Sequence, residues 1–474
     1  MATFDTLLKH TDELGRVIGV TGTIVMVDGL PHVRIGEEVI FETGESGIVH
    51  SLGESSIVII VFSRDVIRVD TRVVRTGKEI SAPIGDDLIG STINALGKFY
   101  TDGMQHTRKD ADRRPIFVDP PGIAPRRKIT RQMETGITLI DSLVPIGFGQ
   151  RELIIGDRKT GKTQILLSSI ETQAKRGTIC IYGAIGKRKT EIKEIEAHLV
   201  SRGIRDRCII VFASSYASPG EIYVTPYAAM MLAEYFTGEG KDVLLVLDDL
   251  TMHARYYREL SLLSKNFPGR DSYPGDIFHM HAKLLERAGN FVLPDGKEVS
   301  ITVLPIAETA GSDITGYIQT NLMSMTDGHL FCDTDLFFRG VRPAINPFLS
   351  VTRIGKQTQT PLGRDIAQSV LKTLSAYEKA LGFVRFGADV SAELKQVLAI
   401  GEALWNVFEQ KKEELFPMPL QYVLIAHAYT GTWTEEVEDD LYKKYQSDTH
   451  VRKTVDDAVG SSKTLEELKG KIGS

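Results

Sequence analysis

Near the start, Leu7, Leu8 and Leu14 fall on one side at helical spacing, and residues 5–14 are predicted to form a short amphipathic helix. From residue 16 to residue 75 the period changes. Short β-branched runs at 23–27, 39–41 and 56–62 are separated by Gly-rich turns such as Asp28-Gly29. Roughly six short strands in about 60 residues predict a small closed barrel, since closure leaves no unpaired edge. Pro83, Pro115, Pro120, Pro121, Gly122 and Pro125 then break any regular period and predict a linker that wraps into the next domain. Beyond Ile129 the apolar runs RELII, TICIYGA, CIIVFA, DVLLVLDD and SITVLPI alternate with helical segments. Strands that are apolar on both faces predict a buried, mainly parallel sheet. After Arg364 the runs LKTLSAYEKALGFV and AELKQVLAIGEALWNVF return to helical spacing. The predicted fold is therefore multidomain. It has a short helix (1–15), an N-terminal β-barrel (16–78), a central α/β domain (79–363, with the linker 79–128) and a C-terminal α-helical bundle (364–474).

A length of 474 residues leaves room for each of these domains to bury its own core. With 42% hydrophobic and 25% charged residues the chain reads as soluble and globular. Its net charge of -6 argues against a general nucleic-acid binder. Cys180, Cys208 and Cys332 lie far apart without metal-ligand spacing, so buried, reduced thiols are expected. No apolar run approaches the roughly 18 residues that span a bilayer. The first residues carry acids and lack the apolar core of a signal peptide. Any membrane role is therefore expected to come through partners.

The strongest chemical signal is Gly156-Asp157-Arg158-Lys159-Thr160-Gly161-Lys162-Thr163, which fits G-x-x-x-x-G-K-[ST]. It follows the strand RELII and leads into the helical run TQILLSSIETQAKR, the context that a P-loop requires. Glycine permits the tight turn in which backbone N–H groups face phosphate oxygens, and the helix N-terminus adds favourable partial charge. Residues Gly156 to Gln164 are thus expected to hold the phosphates of ATP or ADP. Lys162 would neutralise the terminal phosphates and Thr163 would offer a hydroxyl to Mg²⁺. Asp248 ends a buried apolar run, where a metal-linked acid belongs. The alternative is that Asp248 and Asp249 only cap the helix that follows. With the P-loop present, the metal role goes to Asp248, and Asp249 is read as a cap or as a group that supports the metal-linked acid.

The stretches PIGFGQRELIIGDRKTGKTQ, VLDDL, FPGRDSYPGDIFHMHAKLLERA, SMTDGHLF and RPAINPFLSVTRIGKQTQT, in this order, resemble the alpha subunit of F-type ATP synthases. The likeness runs from near Arg16 to about Met418. It implies a barrel, a nucleotide domain and a helical bundle. It also implies an alternating heterohexamer with catalytic beta-type subunits around a central rotating shaft. A peripheral stalk and contact with the membrane only through a proton- or sodium-translocating sector follow, on the inner face of a bacterial plasma membrane. Catalytic relatives carry a glutamate after the second strand of the nucleotide domain, and alpha subunits a glutamine; this chain has Lys187. An ammonium of pKa about 10.4 has no lone pair to accept a proton from water. The alternative for Lys187 is a solvated surface residue, and under both readings the general base is missing. Glu191 lies one helical turn on and is expected to aim elsewhere. The isolated chain is therefore expected to lack ATPase turnover.

Arg353 matches the family arginine that reaches into the neighbouring catalytic site, a finger worth about 10³–10⁵ in rate; a solvated loop arginine is the alternative. Ser324 matches a serine at the same interface. Phe337, Arg342 and Pro343 match residues near the adenine, with a core or turn role as the alternative for Phe337 and Pro343. Lys412 and Glu414 replace two glutamines that face the base, and Lys159 replaces a P-loop glutamine. Phosphate binding is expected to survive these changes and adenine selectivity to weaken. The short N-terminal helix, set against the family's longer segment, implies a shortened or altered stalk contact. Three other functions compete. A self-sufficient hexameric ATPase would need an acid at Lys187. A Rho-like RNA translocase would need aromatic and basic residues interleaved on the barrel, where Glu42, Glu45 and Glu54 stand instead. A paralogue that binds nucleotide only for assembly, outside ion-coupled synthesis, is the third.

Overall fold

A computed structural model describes residues 4–54, 56–101, 104–107, 112–265, 267–385, 391–412 and 414–472. The chain divides into two compact units. The first comprises residues 1–127, 177–308 and 315–325; the second comprises 128–176, 309–314 and 326–474.

The first unit opens with the helix Phe4–Thr11, shorter than the predicted 5–14 because Asp12 turns to a positive φ of 51°. Six antiparallel strands, from Gly15–Thr21 to Arg72–Glu79, close into the expected barrel in the order first, second, fifth, fourth, third, sixth. Alternation decides which side chains point inward. Val17, Val25, Val27, Val39, Phe41, Ile59 and Val73 fill the interior and are almost wholly buried. The parallel strands Cys208–Ser214, Ile179–Lys187, Val243–Asp248 and Glu298–Glu308 follow one another in a sheet. Residues 243–248 are buried throughout, as the apolar run predicts. The register sets Ala184 beside Asp248, so the end of one strand delivers Lys187 toward the carboxylates at the end of the next.

Against this sheet packs the helix Pro219–Gly238, started by Ser218, whose side chain accepts the Glu221 N–H. Two neighbouring helices, Leu250–Leu263 and Ile277–Leu285, bury a histidine pair. His253 and His281 meet at 3.0 Å, and the other nitrogen of His253 lies 2.9 Å from the Tyr223 carbonyl. Burial pushes His253 down to about 4 and lowers His281 as well. Below pH 6.5 the unfolded chain takes up protons that the folded pair refuses, so stability falls as pH drops from about 6.5 through 4. For His253 alone the loss is expected to reach about 3 kcal/mol. Denaturant titrations across this range, on wild type and His253→Gln/His281→Gln, read the difference. Identical slopes with pH would contradict it.

The second unit carries the parallel pair Glu152–Gly156 and Gly328–Cys332, with Val351–Thr352 antiparallel to the latter. The helix Lys162–Lys175 follows the first of these strands. The C-terminal part is helical, with Pro361–Arg385, Ala392–Phe408, Met418–Thr430, Glu435–Ser447, Thr449–Gly460 and Leu465–Ile472. Cys180, Cys208 and Cys332 are buried free thiols.

Candidate nucleotide site and arginine loop

In the second unit Gly156 ends its strand where a Cβ would stand 2.5 Å from the Cys332 carbonyl oxygen. Only glycine lets the chain leave the sheet so close to its neighbour. The loop then passes through positive φ at Lys159 (64°) and Gly161 (92°) before the helix begins. Lys162 is 8% exposed, and its ammonium folds back on the loop, donating to the Gly156 carbonyl at 2.9 Å and to the Asp157 carbonyl. A group that donates to loop carbonyls is held at the turn. Thr160 donates to the Asp157 carbonyl at 2.7 Å. Thr163 is exposed at the first turn of the helix, as are Arg158 and Lys159 in the loop.

The Asp157 side chain points away from the helix end. Its carboxylate accepts from the Thr309 hydroxyl at 2.5 Å, the Ser312 N–H at 2.9 Å and the Thr334 hydroxyl at 3.1 Å. Partial burial raises its pKa, but these bonds outweigh that effect and hold it below the usual carboxylate range. The Asp157 side chain therefore braces the loop.

A cavity of about 410 Å³ begins at Thr160, Gly161 and Gln164. Phe337, Arg342, Pro343, Lys412 and Glu414 also line it. The structure thus gathers the phosphate-loop residues and the base-side residues around one space, of the size that suits a small ligand. The Arg342 guanidinium lies over the Phe337 ring, 3.5 Å from its centre, and donates to the Phe337 carbonyl at 2.8 Å. Gln164 reaches the Lys412 carbonyl at 3.0 Å. Gln410, which the sequence does not mark, builds the wall. It accepts the Thr138 N–H at 2.6 Å and donates to the Gly136 carbonyl at 3.0 Å. No motif marks it, because its partners lie far back in the chain.

Arg353 sits just past the edge strand Val351–Thr352. Its backbone N–H donates to the Asp327 carbonyl at 2.9 Å, and the Asp327 carboxylate is clamped by Arg151 at 2.7 Å. The residue is exposed; its guanidinium donates to the Thr326 carbonyl at 3.4 Å, and its charge favours the ionised form of buried Glu152.

Asp248, Lys187 and Ser324 belong to the first unit. Ser324 is exposed in the last turn of the helix Tyr317–Met325, its hydroxyl on the Asn321 carbonyl at 2.7 Å. Lys187 is not the solvated residue that the sequence left open as an alternative. Its side chain is 19% exposed, and its Nζ lies 2.6 Å from Asp248 Oδ1 and 3.9 Å from Asp249 Oδ2. Burial lowers the ammonium pKa, but the two carboxylates outweigh that effect and the net shift is upward. The second oxygen of Asp248 accepts the Tyr182 hydroxyl at 2.5 Å. Asp249 caps its helix by accepting the Met252 N–H at 2.6 Å, as the sequence predicts. Glu191 accepts the Arg188 N–H at 2.8 Å, which ties it to the start of its own helix. Among the described residues no cluster of three or more His, Cys, Asp or Glu could hold a metal. Thr163, with its exposed hydroxyl, fits a Mg²⁺ borne by a nucleotide. Asp248 lies in the other compact unit, with an ammonium on one oxygen and a phenol on the other.

Residues 136–352 match the family described as ATP synthase alpha/beta family, nucleotide-binding domain. The chain is 39% identical over 448 residues to ATP synthase subunit alpha of Lactobacillus helveticus, covering 93% of this chain and 88% of that one. The corresponding subunit of Lactobacillus acidophilus matches with the same identity and coverage. At that identity over nearly the whole length, with the P-loop and its cavity in place, the chain belongs to the ATP synthase alpha-subunit family.

Proposed function

We propose that this chain is a regulatory, non-hydrolysing nucleotide-binding subunit of a rotary ATP synthase, and that it lends Arg353 to catalytic sites on beta-type partners. The observation that carries the reading is Lys187, an ammonium paired with Asp248 where a catalytic relative needs a carboxylate free to activate water. The ligand is ATP or ADP, seated with its phosphates on residues Gly156 to Thr163 and its base toward Phe337, Arg342 and Pro343. Ser324 lies on the surface that meets the partner. The assembly is an alternating ring around a rotating shaft, braced by a peripheral stalk and joined to a proton- or sodium-translocating sector on the inner face of a bacterial plasma membrane. Neither P-loop binding nor the exposed Arg353 requires this chain to turn over.

Nucleotide binding tests the first part of the reading. Lys162 carries the one ammonium held within the loop turn, so Lys162→Ala leaves phosphate charge uncompensated. Affinity for ATP is expected to fall about 10-fold or more, since a charge-assisted contact contributes roughly 1.5–3 kcal/mol. Calorimetry on wild type and variant measures it. Equal affinities would remove the P-loop from binding.

A further inference from the structure

Three adjacent strands of the second unit carry a buried polar row. Strand pairing sets Glu152 beside Gly328 and Gly328 beside Thr352, the residue before Arg353. Glu152 is fully buried, and its Oε1 has no hydrogen-bond partner among the described residues. A Cβ on Gly328 would stand 2.6 Å from Glu152 Oε2, so glycine leaves the carboxyl room over the middle strand. Gln150, also fully buried, spans the rest of the row. Its Nε2 donates to Glu152 Oε2 at 2.6 Å and to the Thr352 hydroxyl at 3.1 Å, while its Oε1 accepts the Gly147 N–H at 2.8 Å. The Thr352 hydroxyl in turn donates to the Pro145 carbonyl at 2.9 Å and accepts the Gly355 N–H at 3.0 Å. These bonds fix the chain on both sides of Arg353. Burial pushes the Glu152 carboxyl well above the usual carboxylate range, while the Gln150 hydrogen bond and the Arg353 charge pull the other way. Glu152 is thus tied to Arg353 twice, by hydrogen bonds through Gln150 and Thr352 and by charge.

We propose that Glu152 and Gln150 are positioning residues for Arg353, holding its backbone so that the guanidinium meets a transferring phosphoryl group in one geometry. The inference rests on the arginine-finger reading above and names what aims the finger. An apolar residue in place of Glu152 would leave a donor of the buried Gln150 amide unpaired, and the amide would then no longer be held against Thr352. Such a finger acts on charge that develops in the transition state, where a misplacement of about 1 Å can cost on the order of 10²-fold.

Steady-state turnover of assembled rings tests it. Glu152→Ala is expected to lower maximal turnover about 10-fold or more, with the chain's own affinity for ATP within about twofold of wild type. Glu152→Gln returns an oxygen to the Gln150 amide and is expected to restore the rate to within about threefold of wild type. In rings that already carry Arg353→Ala, Glu152→Ala is expected to cost nothing further, because the group that it aims is gone. A Glu152→Ala ring at the wild-type rate, or an equal loss with and without Arg353, would overturn the inference. Because Glu152→Ala can fail to fold, Thr352→Val, which removes only the hydroxyl, undergoes the same comparison. The same loss and the same dependence on Arg353 are expected of it, and the same two results would overturn the inference. An Arg353→Ala ring that itself runs at the wild-type rate would instead overturn the finger reading, a result distinct from any of these.

Discussion

Arg353→Ala is expected to slow ATP turnover of the assembled ring by about 10³-fold or more, while barely changing the chain that carries it. The local structure explains the second half. Arg353 is tied to the fold by its backbone N–H on the Asp327 carbonyl, a bond that alanine keeps. The residue is exposed and its hydrogen bond to the Thr326 carbonyl is long, at 3.4 Å, so truncation is expected to lose little stability beyond the charge that Arg353 sets against buried Glu152. The first half follows from where charge develops. A guanidinium presented to a transferring phosphoryl group meets more negative charge in the transition state than in the ground state, so its loss lowers the maximal rate more than substrate binding. Arg353→Lys is expected to recover little, because a point charge on a flexible stem does not reproduce a planar fork of donors. Steady-state turnover and nucleotide occupancy, on rings matched for stoichiometry, separate the two effects. A mutant ring that runs at the wild-type rate would leave this chain as scaffold alone.

Much of this arrangement is legible in the sequence because it is local. Alternating β-branched runs announce the barrel, since inward and outward positions differ by one residue. The P-loop is readable because glycine, lysine and threonine must stand at fixed offsets to wrap a phosphate. The cap formed by Asp249 is readable for the same reason: donor and acceptor lie within one turn. What escapes is set by register between distant strands. Lys187 and Asp248 meet only because parallel pairing places Ala184 beside Asp248, and nothing in either segment announces the other. Asp157 counts as a phosphate residue by its place in the motif, yet its side chain braces the loop on Thr309, Ser312 and Thr334. Gln410 and the His253–His281 pair are invisible for the same reason, their partners being supplied by the fold.

The absence of turnover in the isolated chain is the other large expected effect, and each candidate base accounts for part of it. Lys187 has no lone pair while protonated, and the neighbouring carboxylates raise its pKa further after offsetting the effect of burial. Asp248 has an ammonium on one oxygen and a phenol on the other. Asp249 is committed to the Met252 N–H, and Glu191 to the Arg188 N–H. Each of these groups is already engaged by a neighbour within the fold. A group able to take a proton from an attacking water, at the Lys187 position, would contribute a factor of roughly 10²–10⁴ by general-base catalysis alone. Phosphate release by the purified chain, free of any partner and supplied with saturating ATP, is therefore the most direct measurement. The account predicts a rate far below the roughly 1–100 s⁻¹ of competent phosphoryl-transfer enzymes, and turnover within that range would contradict it.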